Sequence, residues 1–390
     1  MKTLHLDRLV RIVGNMNLGS VVKSLGLIVW AAMAHARSQD QDQSPISPPL
    51  PGMPAQQQVL ARSSATDAAR YLAGMPVSAG SPLTELTRDP QWIAYSDAMN
   101  AAFSKLDERL LNSVRSWQAE FLAPVTRLSS TCLYFFSGPD FLYPDALYPN
   151  CTAYVLVSLE PVDSIPELQS IPPILLQNTL QTIQASLNTL LNFGYFETQE
   201  LHQYLERSQI RGVLPLLFVF LARSGKQILN VDYISPHKGG SQGVKINFLD
   251  PATGMQKVLY YLTADLSDAG LRSNGAVLRF CNNFAPTNSF LKSASYLLHQ
   301  DGFTTARNYL LRVSATILED DSGNPIRYFT PERWTLRFFG SYTGPIELFK
   351  KFYQPDLGQY YASSSPKPLT FGFGYQWNPH DATLILAVRK

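Results

Sequence analysis

Apolar positions along the chain change period twice, and the changes mark its elements. Between residues 90 and 124, Tyr95, Met99, Ala102, Leu106, Leu110, Val114, Trp117 and Phe121 recur at steps of three and four. That spacing predicts one long amphipathic helix, capped by Asp89, opened by Pro90 and closed near Pro124. Leu176, Leu180, Ile183, Leu187 and Leu190 predict a second, after Pro172-Pro173 and stopped at Gly194. Thr66-Asp67 reads as the cap of a short helix ending at Gly74. TCLYFF (131–136) and AYVLVSL (153–159) read as strands, separated by the Pro-, Asp- and Tyr-rich loop SGPDFLYPDALYPN. GVLPLLFVFLA (212–222) is wholly apolar but about eleven residues long, a buried segment and not a span of about twenty.

From residue 228 the period is mainly two. ILNVDYIS, GVKINF, KVLYYLT and AVLRF predict strands, with a turn at Asp250-Pro251 and Thr253-Gly254. NSFLKSASYLLH and FTTARNYLLRV predict helices. ATILEDD, IRYF, WTLRFFGSY, LTFGFGYQW and ATLILAVRK predict strands again. Helices first, strands mostly later and no regular βαβ alternation give an α+β fold: N-terminal helices packed with a mainly antiparallel sheet in the C-terminal half. The expected organisation is a single domain over 63–390, divisible into a helix-rich 63–225 and a strand-rich 226–390.

The first residues carry a different signal. Lys2, Arg8, Arg11 and Lys23 precede the apolar run LGLIVWAAMA (25–34), and Ala34-His35-Ala36 fits a small-x-small cleavage site. Residues 1–36 therefore read as a secretory signal peptide, and the Gln-, Pro- and Ser-rich 37–62 as a disordered linker. Cleavage would remove four Lys/Arg and one Asp from the 32 basic and 30 acidic residues, leaving 28 and 29. The mature chain carries no basic footprint for nucleic acid and no polybasic run for a membrane surface, and no transmembrane span is expected in it. Charged residues are only 16% and aromatics 12%, a balance that suits sheet packing and stacking surfaces.

Export places the cysteines where disulfides persist. Cys132 and Cys151 stand at the ends of two predicted strands, within reach of a bridge that would leave Cys281 odd. Three buried free thiols are the equal alternative. No C-x-x-C, H-E-x-x-H or histidine cluster is present, so no metal and no cofactor is expected.

Ser241 sits in a G-x-S-x-G frame, four residues after His237. A nucleophile elbow needs a strand before the serine and a helix after it. Here strands are predicted on both sides, so Ser241 belongs to a hairpin loop. Ser289-x-x-Lys292 on a helix would activate a serine, but its companion motifs are missing. Asp140, in the loop with Tyr143 and Tyr148, is a general acid or base if its aromatic surround raises its pKa, or a turn residue that satisfies backbone donors. Glu319, Asp320 and Asp321 form an acidic run beside a turn, suited to splitting pKa values or to ordinary solvation. His299 is the best single histidine for proton transfer. The candidate catalytic set is Asp140, His299 and Asp320, with Tyr143 and Tyr148 as ligand-binding residues.

SGPDFLYPDALYPN, VLVSLEPV, LPLLFVFLARSG and ILEDDSGNPIRYF are similar to segments of a family of exported bacterial proteins with no assigned activity. The resemblance covers roughly 66–390. It implies a periplasmic or secreted setting and nothing about chemistry. Two functions follow as expectations. The first is a non-catalytic binding or structural protein of the bacterial envelope, with glycan or an envelope protein as partner. The alternative is an exported hydrolase acting on glycan or peptide through carboxylates.

Overall fold

In the computed structural model, residues 55–390 are described except 166, 196–211 and 236–242, with side chains from residue 64 onward. The expected signal peptide and the expected linker up to residue 54 lie outside these residues, as do Ser241 and His237. The chain is α+β. Its apolar runs assemble a nine-stranded mixed sheet in the order β3-β4-β5-β2-β1-β6-β7-β9-β8. The strands are β1 (Thr131–Phe135), β2 (Ala153–Ser158), β3 (Gln227–Ile234), β4 (Gly243–Asp250), β5 (Met255–Thr263), β6 (Thr287–Leu291), β7 (Ser314–Glu319), β8 (Trp334–Gly340) and β9 (Thr383–Arg389).

The five central strands β5, β2, β1, β6 and β7 run parallel, and antiparallel pairs close both edges. Parallel strands are covered on both faces and read as unbroken apolar runs. Accordingly every residue of β1, β2, β6 and β7 is buried. On β1 the side chains alternate between two cores. Cys132 and Tyr134 face the core built by the N-terminal helices, while Leu133 and Phe135 face a second core with Leu271, Val277 and Leu310.

The N-terminal layer holds α1 (Ala55–Leu72), α2 (Pro90–Leu106), α3 (Asn112–Trp117) and α4 (Ala123–Thr126). Asp89 caps α2 by accepting from the Gln91 N–H at 2.8 Å. Two π-turns, Asp107–Leu111 and Gln118–Leu122, join α2, α3 and α4 into one rod. The apolar stripe has more four-residue than three-residue steps, and each π-turn adds the residue that keeps it facing the core. Further along come α5 (Leu142–Leu147), α6 (Pro173–Phe193) and α7 (Leu214–Arg223). α6 buries the five predicted leucine and isoleucine positions and ends at Gly194 with φ of 87°. The opposite face carries α8 (Asp268–Ser273), α9 (Ala276–Asn282) and α10 (Thr304–Val313). α11 (Pro355–Ser363) packs near the C-terminal edge. No helix among the described residues is long and apolar enough to cross a membrane.

Several local expectations are corrected. Residues 55–62, assigned to the linker, begin α1. Thr66 and Asp67 lie inside that helix: Thr66 Oγ1 donates to the Ile228 carbonyl, and Asp67 accepts from Ser78. The segment 288–299 is strand β6 followed by irregular backbone, not a helix. β6 is buried on both faces although three of its five residues are polar, so no two-residue alternation marks it as a strand. The same ambiguity made AVLRF a predicted strand, whereas it starts α9 after Gly275, with the Asn274 side chain accepting from the Ala276 N–H. IRYF is a 3₁₀ turn. LTFGFGYQW holds only a Phe373–Gln376 bridge, because Gly374 turns left-handed at φ of 63°. β3 and β4 pair antiparallel with Ile234 opposite Gly243, so the G-x-S-x-G stretch has strands on both sides.

Candidate active site at the carboxyl ends of the parallel strands

Chain order and strand order part company at β1. The chain leaves β1 for β2 on one side and reaches β6, on the other side, only after building β3 to β5. Loops that diverge in this way open a crevice outside the carboxyl ends of the strands, where parallel sheets hold their ligands. Three adjacent strands deliver polar residues to that edge: Ser137 to Asp140 follow β1, Lys292 to Tyr296 follow β6, and Asp320 to Asn324 follow β7.

Lys292 is the hub. Its Nζ donates to Asp140 Oδ2 at 2.6 Å and to the Gly194 carbonyl at 2.7 Å, and lies 3.4 Å from the Tyr143 ring centroid. Burial lowers its proton affinity, against the Asp140 carboxylate, which raises it. Asp140 uses its other oxygen on the Tyr143 N–H at 3.3 Å. The turn reading of Asp140 is thus realised on one oxygen, while the other is taken by Lys292.

β7 supplies three buried carboxyls. Glu319 Oε2 accepts from the Asn324 backbone and side-chain amides at 2.9 and 2.7 Å, and burial pushes the carboxyl up to about 8. Asp320 accepts from Ser322 Oγ at 2.5 Å and from the Ser293 N–H at 3.0 Å. Burial raises its pKa against those hydrogen bonds and the nearby Lys292 charge. Asp321 accepts from Tyr296 Oη at 2.7 Å, and burial, with the Asp320 charge second, lifts it to about 7.

The loops are held tightly and under strain. Phe136, Ser293, Ser295 and Tyr296 are four of the six non-glycine residues with positive φ among the described residues. Such backbone costs of order 1–3 kcal/mol per residue and gathers at functional sites. A Cβ on Gly374 would stand 1.9 Å from Asp320 Oδ2, so only glycine lets the 371–376 segment close against this carboxylate. Tyr375 Oη bonds the Ser293 carbonyl at 2.9 Å and Ser295 Oγ at 3.0 Å. Tyr296 lies nearly parallel to Phe352 and Tyr375, with Phe349 tilted against it. Several buried polar atoms here have no hydrogen-bond partner: Ser137 Oγ, Ser293 Oγ, Glu319 Oε1, Asn324 Oδ1 and His299 Nε2. Elsewhere such groups are almost always paired.

Asp140 and Asp320 are therefore both tied to the loop after β6, Asp140 through Lys292 and Asp320 through the N–H of the next residue, Ser293. His299 arrives from the other side, on a 3₁₀ turn, with its ring 5.2 Å from that of Tyr296. Burial, with Arg327 second, pulls its pKa down to about 4. No hydrogen bond joins it to Asp140 or Asp320 among the described residues. Of the two tyrosines, Tyr143 belongs to the site, beneath Lys292. Tyr148 does not: its hydroxyl reaches the Ser289 carbonyl at 3.5 Å, and it borders a cavity of about 240 Å³ at the amino ends of β1 and β2. Both rings are buried, so their surface is given to packing.

Cys132 and Cys151 are not joined. All three cysteines are buried free thiols. Cys132 stands opposite Tyr154 in the β1–β2 register, and the Cys151 sulfur accepts from Asn288 at 3.9 Å. Ser289 and Lys292 form no dyad either. Ser289 Oγ shares hydrogen bonds with Ser314 and Thr287. Among the described residues no group of three or more His, Cys, Asp or Glu side chains could hold a metal ion.

Tyr296, Ser293 and Tyr375 are site residues that the sequence does not single out, and Lys292 stands out in it only as half of an S-x-x-K pair. Their one signal is that FF-SGPD, FL-KS and IL-EDDS each pass from an apolar run straight to small or charged residues. No family model, no curated protein and no solved structure matches this chain.

Proposed function

We propose that this chain is an exported hydrolase acting on glycan or peptide, with the carboxyls of Asp140, Asp320 and Asp321 as its acid–base groups. One observation carries the reading: at the switch point of the sheet the loops after three adjacent parallel strands are tied together, Asp140 to Lys292 at 2.6 Å and Asp320 to the Ser293 N–H at 3.0 Å. Asp140, which accepts from Lys292 Nζ at 2.6 Å, is fixed in position beside them. Asp321, held near about 7 with Tyr296 as its hydrogen-bond donor, is suited to give one. A carboxyl whose surroundings raise its proton affinity can act as an acid near neutral pH. A positioned proton donor contributes about 10²–10⁴-fold. The test is a panel of cell-wall glycans and peptides with the wild type, Asp320→Asn and Asp321→Asn. At least one substrate is expected to be turned over, with a loss of about 100-fold or more in each variant. Turnover unchanged in both variants overturns the reading.

A second reading, a non-catalytic binding protein of the bacterial envelope, draws on two observations. Asp140, Asp320 and Asp321 are at most 5% exposed, while Tyr353, Tyr360 and Trp377 are open on the surface as stacking faces for glycan or a protein partner. Saturable binding of a glycan with no turnover is its expected result. The periplasmic or secreted setting rests on the leader at residues 1–36. N-terminal sequencing of the chain from a cell-envelope fraction is expected to start after Ala36, and an intact Met1 in the cytosol contradicts it.

A further inference from the structure

Beside the carboxyls lies a cleft of about 180 Å³, lined by His299, Arg327, Lys351, Phe352, Tyr353 and Gln354, with Pro355 and Asp356 at its rim. Its charge is opposite to that of the cluster. Arg327 and Lys351 are exposed, and no carboxylate pairs with either among the described residues. Each lies over an aromatic ring instead, Arg327 4.9 Å from the Tyr328 centroid and Lys351 4.8 Å from that of Phe352. His299 stands among these cations, and the amino end of α11 adds its partial positive charge. Asp356 is the one carboxylate in the lining.

The cleft is wired to the acids. Gln354, buried between the two, donates from Nε2 to the Asp321 carbonyl at 3.1 Å and accepts from the Ile326 N–H at 2.8 Å. Tyr296, whose hydroxyl serves Asp321, is stacked on Phe352 with ring centroids 5.1 Å apart. The stacked pair Phe352 and Tyr296 thus stands between a group seated against Arg327 and Lys351 and the Asp321 carboxyl.

We propose that this cleft is the subsite for an oxyanion carried by the substrate, a carboxylate, sulfate or phosphate group, flanked by Arg327 and Lys351. The inference rests on the carboxyl cluster being the reactive centre, and it names the class of substrate: an anionic glycan or peptide in preference to a neutral one. Unpaired guanidinium and ammonium groups recognise such groups by charge-assisted hydrogen bonds. The acids alone would repel an anion, so the cations beside them supply the attraction.

Titration of the purified chain with inorganic phosphate, followed by calorimetry at low salt, tests it. Weak saturable binding is expected, lowered at least about tenfold in the Arg327→Ala/Lys351→Ala variant, since each charge-assisted contact is worth about 1.5–3 kcal/mol. Both side chains are exposed, so the variant is expected to fold; Arg88→Ala, on a distant exposed residue, serves as control and leaves binding unchanged. Asp321→Asn is expected to retain phosphate binding. Binding that persists in Asp321→Asn while that substitution leaves turnover intact removes the hydrolase reading and keeps the subsite. Phosphate binding absent from the wild type, or unchanged in the double variant, overturns the subsite.

Discussion

Replacing Lys292 by methionine keeps most of the side-chain volume and removes the charge. It leaves the Asp140 carboxylate without its 2.6 Å partner, with both side chains 2% exposed. It also removes the donor to the Gly194 carbonyl and the cation over Tyr143. Breaking a buried ion pair from one side costs about 3–5 kcal/mol, mostly because the surviving charge has neither water nor partner. Against a domain stability of about 5–15 kcal/mol that is a large fraction. Urea unfolding at pH 7, followed by circular dichroism, reads it directly. The double variant Lys292→Met/Asp140→Asn separates charge from packing, because asparagine keeps an oxygen for the Tyr143 N–H. It is expected to be more stable than Lys292→Met alone by about 2 kcal/mol, within the range of coupling between contacting residues. A single variant costing less than about 1 kcal/mol, or a double variant no more stable than the single, refutes the argument that Asp140 is buried as an anion.

Other outcomes follow from the same geometry. Gly374→Ala places a Cβ on Asp320 in left-handed backbone, so a clear fall in melting temperature is expected; an unchanged melt contradicts the close approach. Glu319 and Asp321, at about 8 and about 7 in the folded chain, lie above the ordinary carboxyl values of about 4. Their contribution to stability is complete below pH about 4 and is lost as pH rises to about 8, so the urea midpoint is expected to fall across that window and to fall less in Glu319→Gln. Cys132, Cys151 and Cys281 are expected to resist a thiol reagent in the native chain, since burial raises all three, and to give three thiols per chain on unfolding without reductant; one thiol indicates a disulfide. Leu187→Ala, at a fully buried position of α6, is expected to cost about 2–5 kcal/mol by the same urea assay.

What the sequence disclosed depended on whether the deciding contacts were local. The helix of 173–193 was legible because its leucines repeat on one face and Pro173 and Gly194 set its ends. The π-turns of the long N-terminal rod were only implicit, in the excess of four-residue steps. β6 reads as a helix in sequence because it is buried on both faces, and its pairing with β1 and β7 lies in strand order and not in any period. The site shows the same division. Asp140 and Asp320 stood out through their own turn chemistry. Their attachment to one loop did not, because Lys292, the partner of Asp140, is 152 residues away and in the sequence reads as half of a helical S-x-x-K pair, while Asp320 is held by a backbone N–H. Tyr296 and Gly374 matter through contacts with carboxyls elsewhere in the chain, which no local pattern records.

The central claim is that Asp321, in the buried carboxyl cluster beyond β7, is poised to move a proton near neutral pH. The pH dependence of turnover on a hydrolysed glycan or peptide tests it most directly. With Asp321 as proton donor, the wild-type rate is expected to hold below pH about 7 and to decline above it, and Asp321→Asn is expected to abolish that limb with the bulk of the activity. A profile with the same alkaline limb and the same rate in Asp321→Asn contradicts the account.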